Sequence, residues 1–369
     1  MKEKIFYQGW IFFTSIVFLC FINGCNTKKV NTINWDDKEH LLTGEIMRTN
    51  NPFFKGLDNP VVFENYLITK YPNSESIFTL SQLRNDSLIY IGEFLSNGRG
   101  PAEMMSPNLF YIASSKQIVI YDNSNRSNKV FYINADSLEN IFNTKSWKKI
   151  NIKHIGELSD LYPLEDYTFL GMLRYGNNAT NQMFFYIDTN RITGLNILYP
   201  EDNSGVTDFN IKYYAYQGTL KKHPYKNRFV YSAERNRYLH IFDYASDSLF
   251  SVSTPLSQYP NYTVNADGRN IHISSSDYFG SLSIQTTDRH IYLLMNDATY
   301  AHIREQKPIN GHPWNYSNTV YVFDWEGNPI KKYILDHFAE SFFIDSQDQY
   351  LYGNSDTTNG IELYRYKIL

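Results

Sequence analysis

Short runs of β-branched and aromatic residues, broken roughly every ten positions by clusters of Asn, Ser, Asp and Gly, fill the chain after residue 40, the pattern of many short strands joined by turns. The clearest unit is 318–336. Val320 to Phe323 is β-branched or aromatic throughout, Asp324 ends the run, Glu326-Gly327-Asn328-Pro329 supplies turn chemistry, and Ile330 opens a second strand. Imperfect copies of this hairpin recur. Residues 76–80 and 87–93 form one set; 109–113, 117–122 and 129–134 a second; 167–173, 182–188 and 194–199 a third. Residues 228–233, 238–243 and 248–253 follow, then 290–296, 319–324 and 330–335, then 341–345, 349–353 and 361–368.

The spacing of these sets selects the architecture. From Asp188 to Asp243 is 55 residues and from Asp243 to Asp324 is 81, an excess that 297–316 explains as one loop inserted in an otherwise regular unit. Units of about 50 residues with three or four strands each predict an all-β fold, a six-bladed β-propeller over 40–369. Strands such as Val320 to Phe323 are apolar on both faces, as sheets sandwiched between neighbours require. The last set lacks an outer strand, which 41–48 is expected to supply, so that N- and C-terminal strands close the ring and remove two exposed edges. An Asp-Ser-Leu echo at Asp86, Asp136 and Asp247 adds little, because Asp-Ser is common in turns.

Composition agrees with this picture: aromatics make up 17% of the 369 residues, with 31 Tyr and 25 Phe. A formal charge of -4 with no dense Lys/Arg block leaves no footprint for nucleic acid, so none is expected as a partner.

The N-terminus carries a targeting signal. Lys2 and Lys4 precede an apolar run, 11–22, that stops at Asn23-Gly24-Cys25. The run is shorter than the roughly 20 apolar residues a membrane-spanning helix needs. Its end, Leu19-Cys-Phe-Ile-Asn-Gly-Cys25, resembles a bacterial lipobox, with Ile22 and Gly24 in the apolar and small positions and Asn23 polar between them. The resemblance implies that 1–24 is a lipoprotein signal peptide and that the thiol of Cys25 is acylated, so that acyl chains make the membrane a partner. Cys20 leaves with the signal peptide, and the mature chain keeps one cysteine and no disulfide. The polar stretch from the lipidated Cys25 to Glu39 reads as a tether. Asn26 after the cysteine fits an outer membrane lipoprotein, facing the periplasm or the cell surface.

Gly98-Arg-Gly-Pro-Ala-Glu103, then Pro107-Asn-Leu-Phe-Tyr-Ile-Ala-Ser-Ser-Lys-Gln-Ile-Val-Ile-Tyr-Asp122, resembles an NHL-type propeller repeat, and more closely the six-bladed, TolB-like propeller lipoproteins of Bacteroides and its relatives. Those proteins combine a lipobox, a Gly-x-Gly-Pro-x-Glu segment early in the ring and a strand ending in Asp. The resemblance implies a six-bladed ring on a lipid anchor and brings no settled activity with it.

Catalytic motifs are sparse. The chain holds no Ser-x-Asp-x-Gly-x-x-Trp box, no Gly-x-Ser-x-Gly elbow, no phosphate-cradling glycine loop, no His-Glu-x-x-His and no Cys-x-x-Cys, so no catalytic residue, cofactor or metal is assigned. Asp122-Asn-Ser-Asn125 resembles a calcium loop in composition only, without the glycine and distal Glu of an EF-hand. The candidate ligand-binding residues are Arg99, between two glycines; Tyr214, in the run Tyr213-Tyr214-Ala-Tyr216; and His302, Arg304, His312 and Trp314, in the inserted loop. Each has a plainer reading beside it: a solvated arginine in a tight turn, propeller core for the tyrosines, and a solvated loop with ring-packing aromatics. The balance favours a binding or scaffolding lipoprotein for a glycan, peptide or protein partner. An envelope hydrolase or lyase with its active site at the channel mouth is the alternative.

Overall fold

The computed structural model describes residues 34–51, 54–71, 75–122, 129–152, 158–173, 180–244, 251–254, 256–309 and 311–368. The expected signal peptide of residues 1–24 and Cys25, the Asn123-Ser-Asn125 part of the loop after Asp122, and Asp247 lie outside them.

Alternation along the strands builds the ring. In Ser317–Asp324, Val320 and Val322 enter one apolar cluster with Phe342, Leu351 and Tyr364, while Phe323 faces the other way into a cluster with Val230, Leu239 and Ile241. In Gln117–Asp122, Ile118 and Ile120 pack beside Leu80 and Phe94, while Val119 and Tyr121 pack beside Leu158 and Phe169. Period-two strands with both faces buried are sheets stacked on both sides. Among the described residues the buried side chains form six such clusters, and each joins two neighbouring sheets.

The sheets are six blades. Blade 1 holds Val61–Phe63, Tyr66–Lys70, Ser76–Leu83 and Ser87–Asn97, and blade 2 holds Pro107–Ile112, Gln117–Asp122, Lys129–Asn134 and Lys148–Asn151. Blade 3 holds Leu158–Pro163, Phe169–Leu173, Phe185–Ile187 and Ile192–Gly194, and blade 4 holds Gly218–Lys222, Arg228–Ala233, Leu239–Asp243 and Ser251–Ser253. Blade 5 holds Ser283–Thr286, His290–Leu294, Ser317–Asp324 and Pro329–Ala339; blade 6 holds Phe342–Ile344, Tyr350–Thr357 and Gly360–Lys367.

Closure is broader than the sequence suggests. Glu45–Ile46 pairs antiparallel with Gly360–Lys367 and completes blade 6, as expected of 41–48. On either side of it, Glu39–Leu42 runs parallel to Pro329–Ala339 of blade 5, and Arg48–Thr49 runs parallel to Ser87–Asn97 of blade 1. One segment therefore covers the outer edges of three consecutive blades. Trp35 begins it, edge-on to Tyr321 and Phe323 at 4.9 and 5.7 Å between ring centroids.

The 81-residue spacing has two sources rather than one. Besides 297–316, the connection between blades 4 and 5 carries a hairpin, Tyr262–Val264 with Ile271–Ile273. The Asp-Ser-Leu echo also divides: Ser87 begins a strand, whereas Ser137 caps the helix Leu138–Phe142 by accepting from the Glu139 N–H.

Candidate functional site

The innermost strands surround a channel with a cavity at each end. The first, of about 440 Å³, lies at the ends of these strands and is walled by Phe63, Phe110, Tyr162, His223 and Thr287, with Tyr225 at its edge, 70% exposed. The second, of about 450 Å³, lies where the strands begin, among Leu57, Glu234, Phe279, Trp314 and Glu340. Both volumes suit a small ligand or the end of a larger one. Pro60, Lys221 and Gln285 line both cavities, so the two meet at a waist.

The second mouth is the elaborated one. Connections entering each inner strand lie at that end of the ring, as does the loop between the second and third strands of a blade, where 297–316 is inserted. Two connections are knotted together beneath it. Asp202, in the connection from blade 3 to blade 4, accepts from Tyr216 Oη at 2.9 Å and from Tyr262 Oη of the hairpin at 3.2 Å, and Lys212 Nζ stands 3.7 Å away. Burial pushes the Asp202 carboxyl up, but the hydrogen bonds from Ser204 and Tyr216 and the charge of Lys212 outweigh it and hold the group below the ordinary carboxylate range.

The inserted loop is docked. His302 Nδ1 meets Thr299 Oγ1 at 2.8 Å and caps its own helix, Tyr300–Arg304. Arg304 donates to Ser275 Oγ at 2.8 Å and to the Ile273 carbonyl at 2.5 Å, tying the loop to the hairpin. His312 stacks on Phe338 with centroids 3.9 Å apart. Trp314 packs edge-on against Phe279 at 5.3 Å and lines the cavity, and its neighbour Asn315 donates to Glu340 at 3.0 Å. Of the loop residues singled out from sequence, Trp314 is the one that lines the channel.

Arg99 and Tyr214 lie elsewhere. Tyr214 is half-buried against the cluster between blades 3 and 4, its ring 5.5 Å from that of Tyr213, and neither cavity includes it. Arg99 is exposed on the turn into blade 2. That turn explains its two glycines. The Glu103 carboxylate folds back to accept from the Gly100 N–H at 2.7 Å, and a Cβ on Gly98, whose φ is +155°, would stand 2.1 Å from Glu103 Oε2. Lys129 Nζ then donates to the carbonyls of Gly100 and Glu103 at 2.9 and 2.7 Å. The Gly-x-Gly-Pro-x-Glu segment is a self-satisfied corner between blades.

Lys221 is absent from the sequence-derived candidates. It occupies the inner strand of blade 4 at the waist, and its ammonium has no hydrogen-bond or ion-pair partner among the described residues. Desolvation in the channel pulls its pKa down to about 8. Glu234, at the elaborated mouth, is raised, first by desolvation. At the opposite mouth His223 accepts at Nδ1 from the N–H groups of Tyr225 and Lys226 at 3.1 and 3.2 Å, and desolvation lowers it to about 4. Its acceptor nitrogen is committed to a turn and its ring stays neutral. Among the described residues no group of three or more His, Cys, Asp or Glu is placed to hold a metal.

A ring of six four-stranded blades around an open channel defines the class: a six-bladed β-propeller. The sequence matches the family described as TolB-like 6-blade propeller-like over residues 75–347, well over half of the chain, and the protein belongs to that family. Among solved structures, a member of the DUF4221 family from Bacteroides vulgatus superposes with a TM-score of 0.55 at 10% identity, covering 88% of this chain and 97% of that one. The WD40 repeats of RRP9 give a TM-score of 0.42 at 9% identity, covering 84% of this chain and 79% of that one. The first likeness speaks for the fold alone. No curated protein matches the sequence.

Proposed function

We propose that this protein is a lipid-anchored binding propeller of the cell envelope, held at the outer membrane by acyl chains on Cys25. It takes a glycan, a peptide or the end of a protein partner into the channel mouth beside Trp314. The observation that carries the reading is the gathering of the chain's elaborations around one mouth: the inserted loop, the hairpin and the long connections are braced against one another there, and Trp314, Phe279 and Glu234 line the cavity of about 450 Å³. A concave mouth with aromatic walls and a few polar groups is the usual form of a ligand site. Trp and Tyr faces offer apolar area with a polar edge, which suits sugars and peptides alike.

A hydrolase or lyase at the other mouth would draw on His223, whose acceptor nitrogen the turn already occupies. The test is a glycan and peptide array probed with 34–369. At least one class should bind, and Trp314→Ala should weaken binding by about tenfold or more, the usual cost of losing a buried aromatic anchor. Silence across both arrays, or hits indifferent to Trp314→Ala, would overturn the reading.

A further inference from the structure

Three residues line both cavities, and of these only Lys221 is charged. Gln285 is fixed by donating from Nε2 to the Phe342 carbonyl at 3.0 Å, and Pro60 forms an apolar wall. The neighbouring lysine is engaged elsewhere: Lys222 Nζ donates to the His223 carbonyl at 3.3 Å. Carboxylates stand at both mouths, Glu234 and Glu340 at one and Asp288 and Asp345 at the other, but none forms an ion pair with Lys221. Lys221 is half-buried rather than sealed off, so its partly desolvated ammonium faces the channel without a counter-charge from the chain and is open to one supplied from outside.

We infer that Lys221 is the anchor for a carboxylate on the ligand, which enters by the Trp314 mouth and places its acidic end at the waist. The inference rests on the proposed binding role of that mouth and names the ligand's chemistry: an acidic sugar or a free peptide C-terminus. The geometry is that of a deep cation beneath an aromatic rim, so the apolar or sugar face rests on Trp314 while the charge reaches inward. Desolvation lowers the Lys221 pKa to about 8, so the ammonium is still largely charged near neutrality, and a bound carboxylate would favour that charged form.

The test is saturation-transfer NMR with two carboxylate probes, glucuronate and N-acetyl-Ala-Ala, each beside its neutral counterpart, glucose and N-acetyl-Ala-Ala amide. At least one acid should bind in the millimolar range, at least tenfold more tightly than its neutral counterpart, and which one does so distinguishes the two sources. Lys221→Met should abolish that preference. Lys221→Arg should keep much of it, and Lys367→Met, which removes an exposed lysine at the end of the third strand of blade 6, should leave it unchanged. Thermal unfolding of Lys221→Met shows that it folds; its midpoint is expected to stay close to that of the wild type, since the half-buried lysine has no partner in the chain to lose. Acid binding that survives Lys221→Met, binding that ignores the carboxylate, or failure of both acids overturns the inference. Array hits that are neutral and need Trp314 but not Lys221 would leave the binding mouth standing while removing the carboxylate anchor.

Discussion

His223 and His240 are both held neutral by burial, each lowered to about 4 from an ordinary value near 6.5. His240 lies between Tyr238 and Phe242 on the same strand face, with ring centroids 5.7 and 5.6 Å away. An unfolded chain takes up protons on these rings below about pH 6.5, whereas the folded chain does so only near pH 4, so stability falls as pH drops through that window. Within it, each ring costs the fold up to about 1.4 kcal/mol for every step of one in pH. Thermal unfolding followed from pH 7 to 4.5 should show a falling midpoint, and His240→Phe should flatten the slope. A midpoint that does not move in the wild type would contradict this reading of the two rings. At this scale the sequence was partly legible. Trp314 stood out as an aromatic in an inserted loop and does line the channel. Lys221 did not, because a lysine pair in a short polar run looks like any solvated turn until the run is placed at the centre of a ring.

Among the elements, most of the second, third and outer strands were readable, as were the inner strands of blades 2 and 6 at 109–113 and 341–345, whereas the inner strands of blades 1, 3, 4 and 5 were not. Ser317–Asp324 announces itself because both its faces are apolar, a consequence of blades on either side. Gly218–Lys222 and Ser283–Thr286 border the channel, and that edge keeps polar residues such as Thr219, Lys221 and Gln285. Such strands carry little of the hydrophobic signal on which strand recognition depends. The N-terminal segment was legible as one closing strand and is in fact three short pairings along three blades. Lys332 Nζ reaches Glu39 Oε2 at 2.7 Å and Arg365 pairs with Glu45, so the seam has charged pairs as well as backbone bonds. Surface pairs contribute little individually. Most of the seam's stabilisation comes from the covered strand edges and the packing of Trp35. Protein beginning at residue 50 should therefore unfold several degrees below protein beginning at residue 34, and Trp35→Ala alone should cost about 1–3 kcal/mol. Equal unfolding midpoints for the two lengths would show that the seam is decorative.

As a whole molecule, the propeller is six similar interfaces with one asymmetric end. Each apolar cluster joins two blades, so no blade has a private core and each is completed by its neighbours. The repeat was visible in the spacing of Asp188, Asp243 and Asp324, and the asymmetry was visible as its failure. The bracing of that asymmetry was not visible, because Arg304 to the Ile273 carbonyl and Asp202 to Tyr262 are contacts between segments that sequence distance keeps apart. The proposed ligand capture lies at the mouth these contacts build. Hydrogen exchange with the strongest array ligand, bound and free, tests that assignment most directly. Protection should concentrate in 219–221, 279–285 and 314–316, around Trp314 and Lys221; protection confined to the outer seam of 39–49, with the channel unchanged, would contradict it.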